Sequence, residues 1–464
     1  MSATSRRWYQ RIPHPVVMLF GIIVLMTVLS YIVPAGLYER VEIDGRQRVV
    51  PGSYQQIEST PVGLMDMFMA IPLGYKTAAE IIFVVLASGI MFGILEKSGT
   101  IETSVGTLIK NLGQEKKFLI VVILTFLYGF FGVAIGYENN IALVPIAAVV
   151  VLALGGDLVL AAGIAVGGIT VGFGLSPINP YTVGTGHKIA ELPMFSGALL
   201  RSTLCFAGLS LLAWYNVRYF KKILNNPARS LGQGLNEKGL NLSRPLSSYQ
   251  MSANHWLVLS LAVAGIGIML AGIFIQGWYI NEISAIFLMI AIVCGVASRM
   301  GGKTFSETVL KSIAEVAPGA FMVGYATSIK VVMEMGNISD TIAYSLSGVL
   351  AQLPTYVSAV SMSLAQSAIN MLIPSGSGQA LATLPVMLPV GELVGLTSQT
   401  TILAFQIGDG VTNLFNPALG GLIAMLAFCR VPFDRWLRYI MPLVGWLLLI
   451  AAAFLVFSVA IDWQ

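Results

Sequence analysis

Thirteen apolar runs occupy most of this chain, at 14–36, 77–97, 117–135, 141–154, 158–178, 198–217, 255–274, 280–298, 314–335, 354–373, 380–395, 399–416 and 437–460. A further apolar stretch, 417–429, follows a break at Asn416-Pro417. A helix needs about 20 apolar residues to cross a bilayer, so most of these runs read as membrane helices and the shortest as partial crossings. Composition points the same way: 10% of the residues are charged, against about 25% in an ordinary soluble domain. The chain therefore reads as an all-α polytopic membrane protein, with the lipid bilayer as its constant partner. Its net charge of +4 is spread over loops and forms no basic patch interleaved with aromatics, which excludes nucleic acid as a partner. Cys205, Cys294 and Cys429 all lie in apolar runs and read as packing residues. Arg6, Arg7 and Arg11 lead into run 14–36, which is long enough to be a first span rather than a cleaved leader.

Positive charge orients the spans. Lys110, Lys116 and Lys117 follow run 77–97. The segment 218–254 carries Arg218, Lys221, Lys222, Arg229, Lys238 and Arg244 against Glu237 alone. Arg299 and Lys303 follow run 280–298, and Arg430, Arg435 and Arg438 follow 417–429. These segments and the N-terminus are expected in the cytoplasm. Segments 37–75 and 336–353 are expected outside. Both sets agree only if 117–154 and 354–395 enter and return as re-entrant hairpins, with tips at Gly-Tyr-Glu-Asn-Asn (136–140) and Pro-Ser-Gly-Ser-Gly-Gln (374–379). About nine full spans remain, with the N-terminus cytoplasmic and the C-terminus periplasmic.

The two halves also resemble each other at a shift of about 237 residues: Gly99 falls over Gly336, Ile101 over Ile338, and Asn179-Pro180 over Asn416-Pro417. The expected organisation is a first repeat over 1–220, a cytoplasmic linker over 221–254 and a second repeat over 255–464. The second half has one extra span, 280–298, which inverts it. Inverted repeats with broken helices at their interface are a transporter arrangement.

Acids inside apolar runs are costly and usually functional. Glu138 and Asp409 have no local cation, whereas Glu334 sits four residues after Lys330 and reads either as an ion pair or as a substrate contact. Proline breaks a helix and frees carbonyls. Ser176, Asn179, Thr412, Asn413 and Asn416 surround the two Asn-Pro breaks as an all-oxygen set suited to a hard cation such as sodium. The alternative is a kink with satisfied polar groups. At the tips, helix N-termini suit a carboxylate, with Asn139, Asn140, Ser375, Gly376, Ser377, Gly378 and Gln379 placed to help; the alternative is a hinge that touches no ligand. Gly301-Gly302-Lys303-Thr304 lacks the first glycine of a phosphate loop. A serine hydrolase built on Ser377 would need a histidine, and His14, His187 and His255 all lie far upstream.

Segments 369–421, 49–54 and 178–184 and the Glu138 tip resemble the YfcC-type branch of the C4-dicarboxylate anaerobic carrier (DcuC) family. That resemblance implies a non-enzymatic secondary carrier of the bacterial inner membrane, with a scaffold, a moving hairpin domain and a homodimeric assembly. YfcC-like members often carry two adjacent acids at the first tip, where this chain has Glu138-Asn139. The reading is a transporter for a small carboxylate-bearing molecule, an amino acid or a C4-dicarboxylate, with no cofactor beyond a coupling sodium ion or proton. Glu138, Ser176, Asn179, Asp409, Thr412 and Asn413 are assigned to the coupling cation or a substrate amino group. The tip residues and Asn416 are assigned to the carboxylate. Lys330 and Arg201 are the nearest candidates for a cationic carboxylate partner. A passive channel is the competing reading, which saturable, ion-driven accumulation would separate.

Overall fold

The computed structural model describes residues 15–43, 46–50, 52–112, 114–240, 248–276, 278, 280–350 and 352–464. The N-terminal arginine cluster, Asp44 and Arg244 lie outside them.

The first half contains α1 (Pro15–Ile32), α2 (Leu64–Thr77), α3 (Ala79–Lys97), α4 (Thr100–Leu112), α5 (Lys117–Ile135), α6 (Val144–Ala153), α7 (Leu158–Gly174), α8 (Thr185–Ile189) and α9 (Ala198–Asn225). The second contains α10 (Ala253–Ala271), α11 (Ile280–Ala297), α12 (Gly302–Met335), α13 (Ser339–Leu350), α14 (Thr355–Asn370), α15 (Gly376–Leu393), α16 (Ser398–Thr412), α17 (Gly420–Phe428) and α18 (Phe433–Ala460). The all-α expectation needs one correction. Between α1 and α2 lie β1 (Gly36–Leu37), β2 (Arg40–Ile43), β3 (Arg46–Val49) and β4 (Gln55–Gln56), paired antiparallel as β1–β4 and β2–β3. This polar segment has no apolar face to bury as a helix, and short ribbons satisfy its backbone.

Among the described residues, α3, α9, α11 and α18 are long and apolar enough to cross a membrane by length and composition. The two parts of α12, Gly302–Pro318 and Val323–Met335, are bent by 41° just after Pro318 and make a fifth if they form one span. The apolar stretches of α1, α5, α6, α7, α10 and α15 are shorter. Nine full spans therefore do not follow from helix length alone, because runs such as 158–178 and 399–416 break before they end: α7 stops at Gly174 and α16 at Thr412. Segments read as external or cytoplasmic loops also hold helices, namely α2, α4 and α13.

The helices pack in two groups. In one, α12 packs on α1, α2 and α3, and α11 joins α3 to α10. In the other, α5, α6 and α9 surround α7, while α14, α15 and α18 surround α16. Small residues set the closest approaches. Gly168 and Gly172 of α7 lie against the backbone of α5 with no room for a Cβ, as small residues four apart allow in membrane helices. At the centre, Gly174 of α7 meets Gly410 of α16 so closely that a Cβ on either would sit 2.5 Å from the other's Cα.

Matching local features recur in the two halves. Gly99 and Asn337 both adopt the left-handed conformation before α4 and α13. Gly155 and Gly395 do the same after α6 and α15. Asp157 and Thr397 then cap α7 and α16 by accepting the Leu160 and Thr400 N–H groups.

Candidate functional site

The two segments expected as hairpin tips, 136–140 and 374–379, each fold as they do for a local reason. α5 ends at Gly136, whose φ of 109° is closed to residues with a side chain. The chain then makes a tight 3-10 turn over Glu138–Leu143. Asn140 holds that turn by donating Nδ2 to the Gly136 carbonyl at 2.6 Å and to the Phe131 carbonyl at 3.2 Å. In the second hairpin, Ser375 caps α15 by accepting the Gly378 N–H at 3.2 Å. Behind this tip lies a buried network. Gln379 donates to the Gln366 side chain at 2.7 Å and its carbonyl at 2.8 Å. Asn370 donates to Gln379 Oε1 at 3.1 Å and to Asp409 Oδ1 at 2.8 Å. Asn416 donates to the Asn370 carbonyl at 2.8 Å and to its side-chain oxygen at 3.2 Å.

The two Asn-Pro breaks behave alike. Asn179 accepts the Tyr181 and Thr182 N–H groups and donates to the Phe173 carbonyl at 2.9 Å. Asn416 accepts the Ala418 N–H at 2.9 Å. Both side chains cap the segment after the break. Ser176 accepts the Ile178 N–H, and its carbonyl is satisfied across the molecule by Gln406 of α16 at 2.7 Å. The polar backbone exposed by each break is thus met inside the protein, as membrane depth requires.

Asp409, Thr412 and Asn413 lie within one turn at the end of α16, all buried. Asn413 donates Nδ2 to Asp409 Oδ2 at 3.3 Å. Its Oδ1 and the Thr412 hydroxyl are buried with no protein partner. These two oxygens and the Asp409 carboxylate make a hard, all-oxygen set of the kind that suits a sodium ion.

One cavity of about 230 Å³ brings the two tips together. That is the share of about seven or eight water molecules at ~30 Å³ each, which admits a small metabolite. Its lining includes Glu138 from the first tip, Pro374–Ser377 from the second, Asn413, and Ala418–Gly421 beyond the second break. The other packing group contributes Thr77 at the end of α2, Ala78 after it, Ile81 of α3, Ile280 of α11, and Val323, Thr327 and Lys330 of α12. Of the residues expected to bind substrate or ion, Glu138, Ser375, Gly376, Ser377 and Asn413 line this cavity, while Asp409 lies next to Gly376 without lining it and Thr412 does not line it. Asn140, Ser176, Asn179, Gly378, Gln379 and Asn416 do not line it. The side chain of Asn139 lies outside the described residues. Arg201 is buried elsewhere, donating to Gln406, Gln399 and the Ser196 carbonyl and stacking on Trp463 at 4.7 Å. Gln366 and Asn370, which hold Asp409 and Gln379, escaped the sequence reading. Their spacing of four within an apolar run puts two amides on one helix face and was the available signal.

The profile of the C4-dicarboxylate anaerobic carrier family matches residues 12–460, nearly the whole chain. The chain belongs to that family. The protein named putative basic amino acid antiporter YfcC, from Escherichia coli strain K12, is 29% identical over 494 aligned residues, covering 97% of this chain and 96% of its own. An uncharacterized protein of Haemophilus influenzae strain Rd is 25% identical over 508 aligned residues and 99% of both chains. Two solved structures align over most of the chain. MtrF of Neisseria gonorrhoeae, described within a class of antimetabolite efflux pumps, has a TM-score of 0.46 at 20% identity, covering 96% of this chain and 95% of its own. The YdaH transporter of Alcanivorax borkumensis has a TM-score of 0.45 at 17% identity, covering 97% and 99%. Likenesses of that size carry no weight about mechanism. Family membership and the apolar helices make this a multi-pass membrane protein of a transporter family.

Proposed function

We propose that this protein is a secondary active transporter of the bacterial inner membrane for a small carboxylate-bearing metabolite, an amino acid or a C4-dicarboxylate. Transport is coupled to a sodium ion or a proton, or proceeds by exchange. The observation that carries the reading is a cavity walled by both tip segments on one side and by α2, α3, α11 and α12 on the other. A site at such a boundary moves relative to one wall when the groups slide. That favours an elevator motion of α5–α7 and α14–α16 against a scaffold of α1–α3 and α10–α12.

The recurring glycine, Asn-Pro and capping positions support an inverted repeat, with nine spans and opposed hairpins. The Asp409–Thr412–Asn413 oxygens support a cation site. Substrate carboxylate binds at the α15 N-terminus, near Ser375 and Ser377. The names of relatives favour amino-acid antiport or dicarboxylate carriage, and their family resemblance favours a homodimer. Membership of a carrier family favours transport without covalent chemistry.

Purified protein in proteoliposomes tests this. Saturable, ion-driven accumulation of an amino acid or dicarboxylate is expected, with loss of most uptake in Asp409→Asn and Ser377→Ala. Unchanged uptake in both variants would sink the reading, and non-saturable flux would favour a channel.

A further inference from the structure

The cavity's charges are few. Among the described residues that line it, Lys330 is the single cation and Glu138 the single acid. Val323, Thr327 and Lys330 fall four and three residues apart on α12, one helix face turned to the cavity. A Cβ on Gly420 would meet Val323, and one on its neighbour Gly421 would meet the ring of Tyr137 and the Glu138 side chain. The start of α17 thus sits between α12 and the first tip, and Lys330 and Glu138 line one cavity from different elements.

Lys330 is held loosely. Its ammonium lies 3.5 Å from Glu334, a partner one turn along whose side chain is 59% exposed and which does not line the cavity. A half-exposed pair of this kind is weak, and lysine's flexible stem lets its ammonium turn to another carboxylate. At the second tip, the Gly378 and Gln379 N–H groups of α15 are taken by Ser375. Among the described residues, the Gly376 and Ser377 N–H groups at the start of α15 have no protein acceptor. First-turn donors of this kind, with the positive end of the helix dipole, suit an anion.

We infer that Lys330 leaves Glu334 to bind the substrate's carboxylate together with the α15 N-terminus, and that Glu138 binds the substrate's ammonium group. The cavity then selects a neutral zwitterion. A dicarboxylate would set its second carboxylate against Glu138, and a dibasic amino acid would bring a second cation that finds no further acid in the cavity. This rests on the transporter reading and specifies its substrate class.

The test is binding to the purified full-length protein, by thermal shift and calorimetry, with the proteinogenic amino acids, succinate and propionate as probes. A neutral amino acid is expected to bind best. Lys330→Gln is expected to weaken that binding by about tenfold or more, the loss of one charge-assisted contact. Lys330→Arg is expected to recover part of it. Glu334→Gln is expected to tighten binding several-fold by removing the competitor, an effect that a purely structural ion pair would not produce. Glu138→Gln is expected to narrow the preference for alanine over propionate.

Preference for succinate or lysine, binding of no neutral amino acid, or unchanged affinity in Lys330→Gln overturns the inference. If Asp409→Asn and Ser377→Ala abolish uptake while Lys330→Gln does not, the inference fails and the transporter reading stands. If none of the three affects uptake, both fail.

Discussion

Asn370 is the residue whose removal tests the buried network most directly. Its amide donates to Asp409 and to Gln379 and accepts from Asn416. Asn370→Ala removes all three contacts at once and leaves the Asp409 and Gln379 oxygens short of a donor, while Asn416 keeps the Asn370 carbonyl at 2.8 Å. Side-chain hydrogen bonds within membranes average only about 0.6 kcal/mol each, so the lost bonds by themselves amount to about 2 kcal/mol. Stranded buried acceptors cost more, roughly 1–3 kcal/mol apiece, which raises the expected loss to about 3–5 kcal/mol. Asn413→Ala makes a matched control. It removes one long bond of 3.3 Å and an oxygen that has no protein partner. Its expected loss in ion-free buffer is under about 1 kcal/mol. The assay is thermal unfolding of detergent-solubilised protein, with and without sodium. Asn370→Ala is expected to melt several degrees lower in both conditions. Asn413→Ala is expected to melt near the parent without sodium and to lose whatever stabilisation sodium gives the parent. Equal melting of Asn370→Ala and the parent would show that these bonds do not form. A full sodium response in Asn413→Ala would remove it from the cation site.

Two further outcomes follow from packing and charge. Gly410→Val puts two methyl groups into the Gly174 backbone, so it is expected to cost about 1–3 kcal/mol or more and to lower both folded yield and uptake, read by size-exclusion recovery and transport. Arg201→Lys keeps the charge but loses the fork that spans Gln399 and Gln406 and the stack on Trp463. It is expected to destabilise the chain by about 2 kcal/mol, read by thermal shift, without changing substrate preference, since Arg201 lies away from the cavity.

Much of this was legible beforehand because membrane depth makes polar residues conspicuous. Glu138, Asp409 and the Pro374–Gln379 tip stood out since lipid leaves them no cheap place to be. Breaks at Asn179-Pro180 and Asn416-Pro417 followed from proline chemistry, although the helices end several residues earlier, at Gly174 and Thr412. Other features could not be read. The pairing of β1 with β4 joins Gly36 and Gln56, which composition does not announce. Asn179 and Asn416 looked like ligands, yet Asn179 is engaged with nearby backbone, and Asn416 accepts the Ala418 N–H while donating to the distant Asn370. Lys330 and Arg201 were equal candidates for a carboxylate partner, and only the fold turned the Lys330 face of α12 toward the tips while burying Arg201 elsewhere.

What the sequence by itself determined is the class of molecule and the places where helices must stop. Apolar runs, loop charges and helix breakers act over one to six turns and need no distant partner. What only the tertiary structure decided is which polar groups remain open. Gln406 reaches across 230 positions to the Ser176 carbonyl, Asn370 reaches Asp409, and Thr412 and Asn413 keep unmatched oxygens. The physical reason is that a hydrogen-bonding group's availability depends on every neighbour that could satisfy it, and in a buried site most of those neighbours come from elsewhere in the chain.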